Sequence, residues 1–209
     1  MNFKILFFDL DNTLIDRNRA FSLWLQNFHF KLKRTYLDEA QLTELLEVDN
    51  YGMGDRRDFW QKYIDDYGLT LSVYDLQARL NSDLAAFVKK DKDVTAMLER
   101  LSDFYDLRLI SNGSSVNQRA KLEASGLESF FSRVYISEEM GCRKPLLFEI
   151  IAKGISCLPE ECLMVGDNYE ADILGAQKVG FKTCFIGDEE ADFNVTSVTE
   201  LENVLCLLN

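Results

Sequence analysis

Asp9 and Asp11 stand one residue apart directly after an apolar run, in "FFDLDNTLID" at residues 7–16, with Thr13 two positions further on. A carboxylate is costly to desolvate without a partner. The pair therefore marks either a surface turn or a place prepared for a cation. Further apolar runs along the chain also end in polar clusters: Ser111, Asn112 and Gly113 after one, Lys144 within "EEMGCRKP" after the next, Gly166 and Asp167 after another. Each cluster alone has a local structural use, as a turn, a surface basic pair or a capping loop. Together they line the ends of successive strands, where ligands bind in an open parallel sheet.

Asp9 and Asp11, two apart at a strand end, can face the same rim, and Asp167 supplies a third acid. Three carboxylates near one point repel unless a hard cation sits among them. Mg²⁺, which prefers about six oxygen ligands and keeps some waters, suits such a set. The expected metal ligands are Asp9, Asp11 and Asp167. Ser111, with the backbone N–H groups of Asn112 and Gly113 at a helix start, offers donors to an anion, and Gly113 permits close backbone approach. Lys144 adds a compact positive charge.

The elements that must hold these residues are legible in the hydrophobic pattern. "FKILFFD" (3–9) is a continuous apolar run without alternation, as in a strand covered on both faces. Similar runs recur at 107–111, 134–137, 162–166 and 183–187. Helical spacing intervenes at 93–102, 115–125, 146–155 and 169–179, with a last helix near 199–208. Strand alternating with helix predicts an α/β fold with a doubly wound, Rossmann-like parallel sheet. Residues 17–90 break this rhythm with roughly four amphipathic helical segments and no strand. The expected organisation is an α/β core from 1–16 and 91–209, with 17–90 as an inserted all-helical cap.

Composition narrows the function. A formal net charge of -12 disfavours nucleic-acid polymers and anionic membranes, which are bound by clustered Lys and Arg. A local pocket on an acidic protein can still take a small phosphate. The single histidine, His29, excludes a multi-histidine zinc site and reads as structural. There is no GxxxxGK[ST] loop, and Gly52 and Gly54 lack the third glycine of a dinucleotide fingerprint. Five scattered cysteines without a CxxC pair argue for reduced thiols in the cytoplasm, and no signal peptide or spanning helix is evident.

"DLDNT", "SNG", "RKP" and "VGDNYEAD" resemble, in order and spacing, the four motifs of the haloacid dehalogenase superfamily. The likeness extends over nearly the whole chain and is weakest across the insert, which by position is similar to that family's C1-type helical cap. One departure is "KPLLFEI", where relatives usually carry a polar residue soon after the proline. The resemblance implies a Mg²⁺-dependent phosphatase that works through an aspartyl-phosphate. Asp9 is then the nucleophile, and Asp11 the acid and base that serves the leaving alcohol and the hydrolytic water. Thr13 resembles the family threonine that helps hold the second aspartate. Asp172 is a supporting residue that orients Lys144 or Asp167, or complements a helix dipole.

The core motifs are shared by phosphatases and phosphomutases, so a mutase on the same core stays open, as does a non-enzymatic phospho-binding module. A dehalogenase is disfavoured by the presence of Asp11. The expected substrate is a small phosphorylated metabolite, a nucleoside monophosphate or a sugar phosphate. Within "VDNYGMGDRRDFW" (48–60), Arg56, Arg57 and Trp60 are candidates to touch the leaving group, the alternative being a solvated charged turn beside a buried tryptophan.

Overall fold

The computed structural model describes residues 2–207. Its elements run β1 (Ile5–Phe8), α1 (Arg17–Lys33), α2 (Glu39–Asp49), α3 (Arg56–Tyr67), α4 (Val73–Asp83), α5 (Lys92–Ser102), β2 (Asp106–Ser111), α6 (Ser115–Ser125), β3 (Arg133–Ile136) and α7 (Ser137–Met140). After these come α8 (Leu147–Ala152), β4 (Cys162–Gly166), a π-helical segment (Tyr169–Leu174), α9 (Gly175–Lys178), β5 (Lys182–Ile186), β6 (Phe193–Val195) and α10 (Leu201–Cys206). Two compact units result, one of Met1–Ile15 with Lys90–Asn209 and the other of Asp16–Lys89.

The first unit is built on a six-stranded sheet in the order β3-β2-β1-β4-β5-β6, with every pair parallel. All four residues of β1 are buried, because helices cover both faces of a parallel sheet. Ile5 and Phe7 pack on one face with Phe148 and Phe181, while Phe8 meets Phe131 on the other. β1 lies between β2 and β4, where chain order reverses and the flanking connections diverge. This switch point leaves a crevice beyond the carboxyl ends of β1, β2 and β4.

Several elements differ from the sequence reading. β6 is too short, at three residues, for alternation to show, and it is recruited by pairing with β5. The helix expected over 146–155 stops at Ala152, and Gly154 closes its end with an N–H donated to the Ile151 carbonyl. The helix expected over 169–179 opens as a π turn before α9. Of the last expected helix, residue 208 lies outside the described residues.

In the second unit, four helices surround an aromatic core that includes Phe21, Trp24, Phe28, Phe59, Trp60 and Tyr63. Their starts are set locally: Asp38 with Gln41 and Ser72 with Asp75 form capping boxes on α2 and α4, and Asp55 caps α3. His29 belongs to this core, its Nδ1 2.8 Å from the Tyr63 hydroxyl. No helix among the described residues is long and apolar enough to cross a membrane.

Candidate active site

The ladder places Asp9. Its N–H donates to the Val165 carbonyl at 3.0 Å, continuing the pairing of Phe8 with Val165 on β4, while Phe8 also pairs with Leu109 on β2. The Asp9 side chain therefore emerges where β2 and β4 also end. Lys144, reaching in from the loop between α7 and α8, sets its Nζ 2.5 Å from Asp9 Oδ1 and 2.6 Å from Asp172 Oδ1, and donates to the Ile110 carbonyl at 3.2 Å. Asn112 fastens that loop, its Oδ1 accepting from the Lys144 N–H at 2.8 Å.

Asp9, Asp167 and Asp172 each offer a carboxylate oxygen, and the three atoms lie within 4.8 Å of one another. Burial first, then the charges of Asp172, Asp167 and Asp11, hold the Asp9 carboxyl well above the usual range, against the pull of Lys144. Burial and Asp172 push Asp167 up to about 6. Burial disfavours the Lys144 ammonium, but Asp172 and Asp9 outweigh it and raise its pKa above the ordinary value. One ammonium among three carboxylates leaves two negative charges uncompensated when all are ionised. That oxygen-rich, anionic donor set fits a hard divalent cation.

This cluster differs from the expected set of Asp9, Asp11 and Asp167. Asp172 takes the third place, because the π turn buries it completely and Gly166 leaves room for its carboxyl group where any Cβ would collide. Its Oδ2 also accepts from the Asn168 N–H at 3.2 Å. Asp11 is engaged elsewhere: Lys121 Nζ lies 2.6 Å and 2.5 Å from its two oxygens, and Gln118 Nε2 donates to Oδ2 at 3.1 Å. Thr13, expected beside Asp11, donates its hydroxyl to Asp167 Oδ1 at 3.1 Å.

Ser111 ends β2 with its hydroxyl accepting from Gln118 Nε2. The Gly113 N–H, expected to face an anion, donates to Ser137 Oγ at 2.9 Å. Gly113 has a φ of +151°, and a Cβ there would press within 2.9 Å of the Gln118 side chain. What this glycine admits is the glutamine. Gln118 and Lys121 were not singled out from the sequence. Their signal lies in α6, whose buried residues are Gln118, Lys121, Leu122 and Ser125, a polar stripe where an amphipathic helix should turn apolar side chains inward.

Arg56 and Arg57 belong to the helical unit. Arg56 and Arg17 both pair with the buried Asp49, whose carboxyl they hold below the usual range despite burial. Asp49 also accepts from the Gly52 N–H at 2.9 Å. Arg57 sits in the first turn of α3, its N–H donated to the capping Asp55 at 2.7 Å.

The chain is similar to several known proteins. Glyceraldehyde 3-phosphate phosphatase of Pyrococcus furiosus is 28% identical over 97% of this chain and 92% of its own length. The pyrimidine 5'-nucleotidase PynA of Streptococcus pneumoniae is 27% identical over 88% of this chain and 83% of its own. The crystal structure of the HAD-hydrolase YfnB of Bacillus subtilis, bound to magnesium, shares the fold with a TM-score of 0.81 at 23% identity, covering 99% of this chain and 100% of that one. The model of the family described as haloacid dehalogenase-like hydrolase matches residues 6–193, so this chain belongs to that family.

Proposed function

We propose that the protein is a Mg²⁺-dependent phosphomonoester hydrolase that acts in the cytoplasm on a small phosphorylated metabolite through a phosphorylated Asp9. The observation that carries this reading is the cluster of the buried Asp9 and Asp172 with the half-buried Asp167 around Lys144 at the switch point of the sheet. Asp9 and Asp167 would hold the cation. When bound, Mg²⁺ supplies positive charge that offsets repulsion between the nucleophile and the phosphoryl oxygens.

The chain's own groups divide the remaining work. An Asp9 carboxylate oxygen attacks phosphorus as the bond from phosphorus to the ester oxygen breaks, and Asp11 gives that oxygen a proton. Asp11 then takes a proton from water as the water oxygen attacks phosphorus, and Asp9 leaves as a carboxylate. Lys144 stays protonated throughout and supports charge on Asp9 and on the phosphoryl oxygens. Ser111, whose hydroxyl oxygen accepts from Gln118, would donate its hydroxyl hydrogen to one of those oxygens. Thr13 fixes the orientation of Asp167, and Asp172 holds Lys144.

The names of the relatives favour two substrate classes, a sugar or triose phosphate and a pyrimidine nucleoside monophosphate. A panel of phosphorylated metabolites ranked by kcat/KM, each assayed with Mg²⁺ and with chelator, tests the reading. Chelator-sensitive phosphate release supports hydrolysis. Phosphoryl transfer to a second sugar hydroxyl without release would favour a mutase.

A further inference from the structure

Lys121 is a charged side chain left only 2% exposed, on a helix face that packs inward. Removing an ammonium from water costs several kcal/mol before any pairing is counted, and an apolar residue of similar volume is often neutral or stabilising at such a place. The same stripe carries Gln118, 1% exposed, one helical turn away. Both side chains reach a common target outside their own helix. Lys121 contacts both oxygens of Asp11, at 2.6 Å and 2.5 Å, and Gln118 donates to one of them at 3.1 Å. Gln118 also donates to Ser111 Oγ, so one amide group joins the carboxylate after β1 to the hydroxyl at the end of β2.

The backbone around Asp11 is already fixed by other means. Asn12 adopts a left-handed conformation with φ of 60°, and its N–H donates to the Ile15 carbonyl at 2.8 Å. The orientation of the Asp11 side chain about its own two torsions is a separate matter, on which Lys121 and Gln118 act directly. Contacts to both carboxylate oxygens from two different side chains restrict that orientation. A group that must reach the leaving oxygen in one step and a water in the next depends on such placement, since proton transfer requires hydrogen-bond reach before anything else.

We propose that Lys121 and Gln118 are positioning residues for the proton-transferring Asp11, and that Gln118 couples its placement to Ser111. This rests on the phosphatase reading above. Under it, Lys121 acts through Asp11. Its loss is felt in kcat/KM, which ends at departure of the leaving group, in proportion to how much a substrate needs a proton there. The later attack of water on phospho-Asp9 is slowed alike for every substrate. Nitrophenolate departs without one, whereas an alkoxide does not.

The test compares p-nitrophenyl phosphate with an alkyl phosphate such as glycerol phosphate, at saturating Mg²⁺, for wild type, Lys121→Met, Lys121→Arg, Gln118→Leu and Asp11→Asn. Lys121→Met should lower kcat/KM on the alkyl phosphate by about 100-fold or more, within the range ascribed to general acid catalysis, and on the aryl phosphate by less than about 10-fold. Lys121→Arg should recover part of the alkyl rate. Gln118→Leu should show the same selectivity and also raise KM for both substrates, because Ser111 loses its tether. Lys121→Met added to Asp11→Asn should cost little more than Asp11→Asn alone. Equal losses of kcat/KM on both substrates in Lys121→Met and Lys121→Arg overturn the proposal, as does an additive double variant. Should Lys121→Met fail to fold, Lys121→Arg and Gln118→Leu carry the same comparison. No turnover of either substrate by wild type would overturn the phosphatase reading itself, a result distinct from equal losses.

Discussion

Lys144 Nζ sits 2.6 Å from Asp172 Oδ1, and both side chains are almost wholly withdrawn from solvent. The pair is held from both ends: Asn112 fixes the backbone of Lys144, and the Asn168 N–H fixes the second oxygen of Asp172. Breaking a buried pair by removing one partner typically costs about 3–5 kcal/mol. Lys144→Met should therefore destabilise the metal-free protein by about that amount, since three acids lose the ammonium set among them. Mg²⁺ should restore part of the loss. Urea unfolding with and without Mg²⁺ measures both effects.

Gly166→Ala should act through the same pair. A methyl group there would overlap the Asp172 carboxyl group, so the carboxyl or the strand end must move. The expected cost is about 1–3 kcal/mol of stability, with a loss of kcat larger than the change in KM. Thermal unfolding and steady-state kinetics report the two parts.

Thr13→Val tests the support of Asp167. The substitution keeps the shape and removes the hydroxyl that donates to this carboxylate. Loss of a partner that orients a metal ligand commonly costs about 10-fold or more in metal affinity. Half-saturation by Mg²⁺ should rise by that factor while kcat at saturating Mg²⁺ changes little. A titration of rate against Mg²⁺ concentration checks it.

The motif residues were legible because the chemistry needs fixed residue types at strand ends, and apolar runs announce strands buried on both faces. The partners of Asp11 and Thr13 were not, since both depend on which elements approach in space. Lys121 and Gln118 are ordinary residues for an exposed helix face, and only the packing of α6 turns them inward. Asp172 was expected as support, but its place in the carboxylate cluster follows from a π turn that no periodicity encodes. β6 lies below the length at which a pattern can form.

In the helical unit, His29 is held neutral by burial and by the charge of Lys33, so its pKa lies below the ordinary value of 6.5. Below that pH the unfolded chain takes up a proton that the fold resists. Stability should therefore fall as pH drops through about 6.5, by at most about 1.4 kcal/mol per unit. His29→Gln should flatten this component. Trp24 and Trp60 both lie in the core of the helical unit, so their fluorescence during urea unfolding from pH 5 to 7.5 reads it directly.

Arg56 and Arg57, proposed to contact the leaving group, should separate in stability. Arg56→Ala leaves the buried Asp49 with Arg17 as its other arginine partner and should cost about 1–3 kcal/mol. Arg57→Ala should stay within about 0.5 kcal/mol. If they bind the leaving group, both substitutions should lower kcat/KM for the best metabolite more than for p-nitrophenyl phosphate, because binding energy from remote substrate parts is lost. Equal changes on the two substrates would assign both arginines to structure alone.

The central claim is that phosphorus is transferred to Asp9. Rapid quench of the working enzyme into acid, followed by mass spectrometry of the peptide spanning Asp9, measures this directly. The account predicts a fraction of that peptide heavier by one phosphoryl group, absent in Asp9→Asn, whose turnover should fall by orders of magnitude. An unmodified peptide, together with Mg²⁺-dependent turnover by Asp9→Asn within about tenfold of wild type, would contradict it.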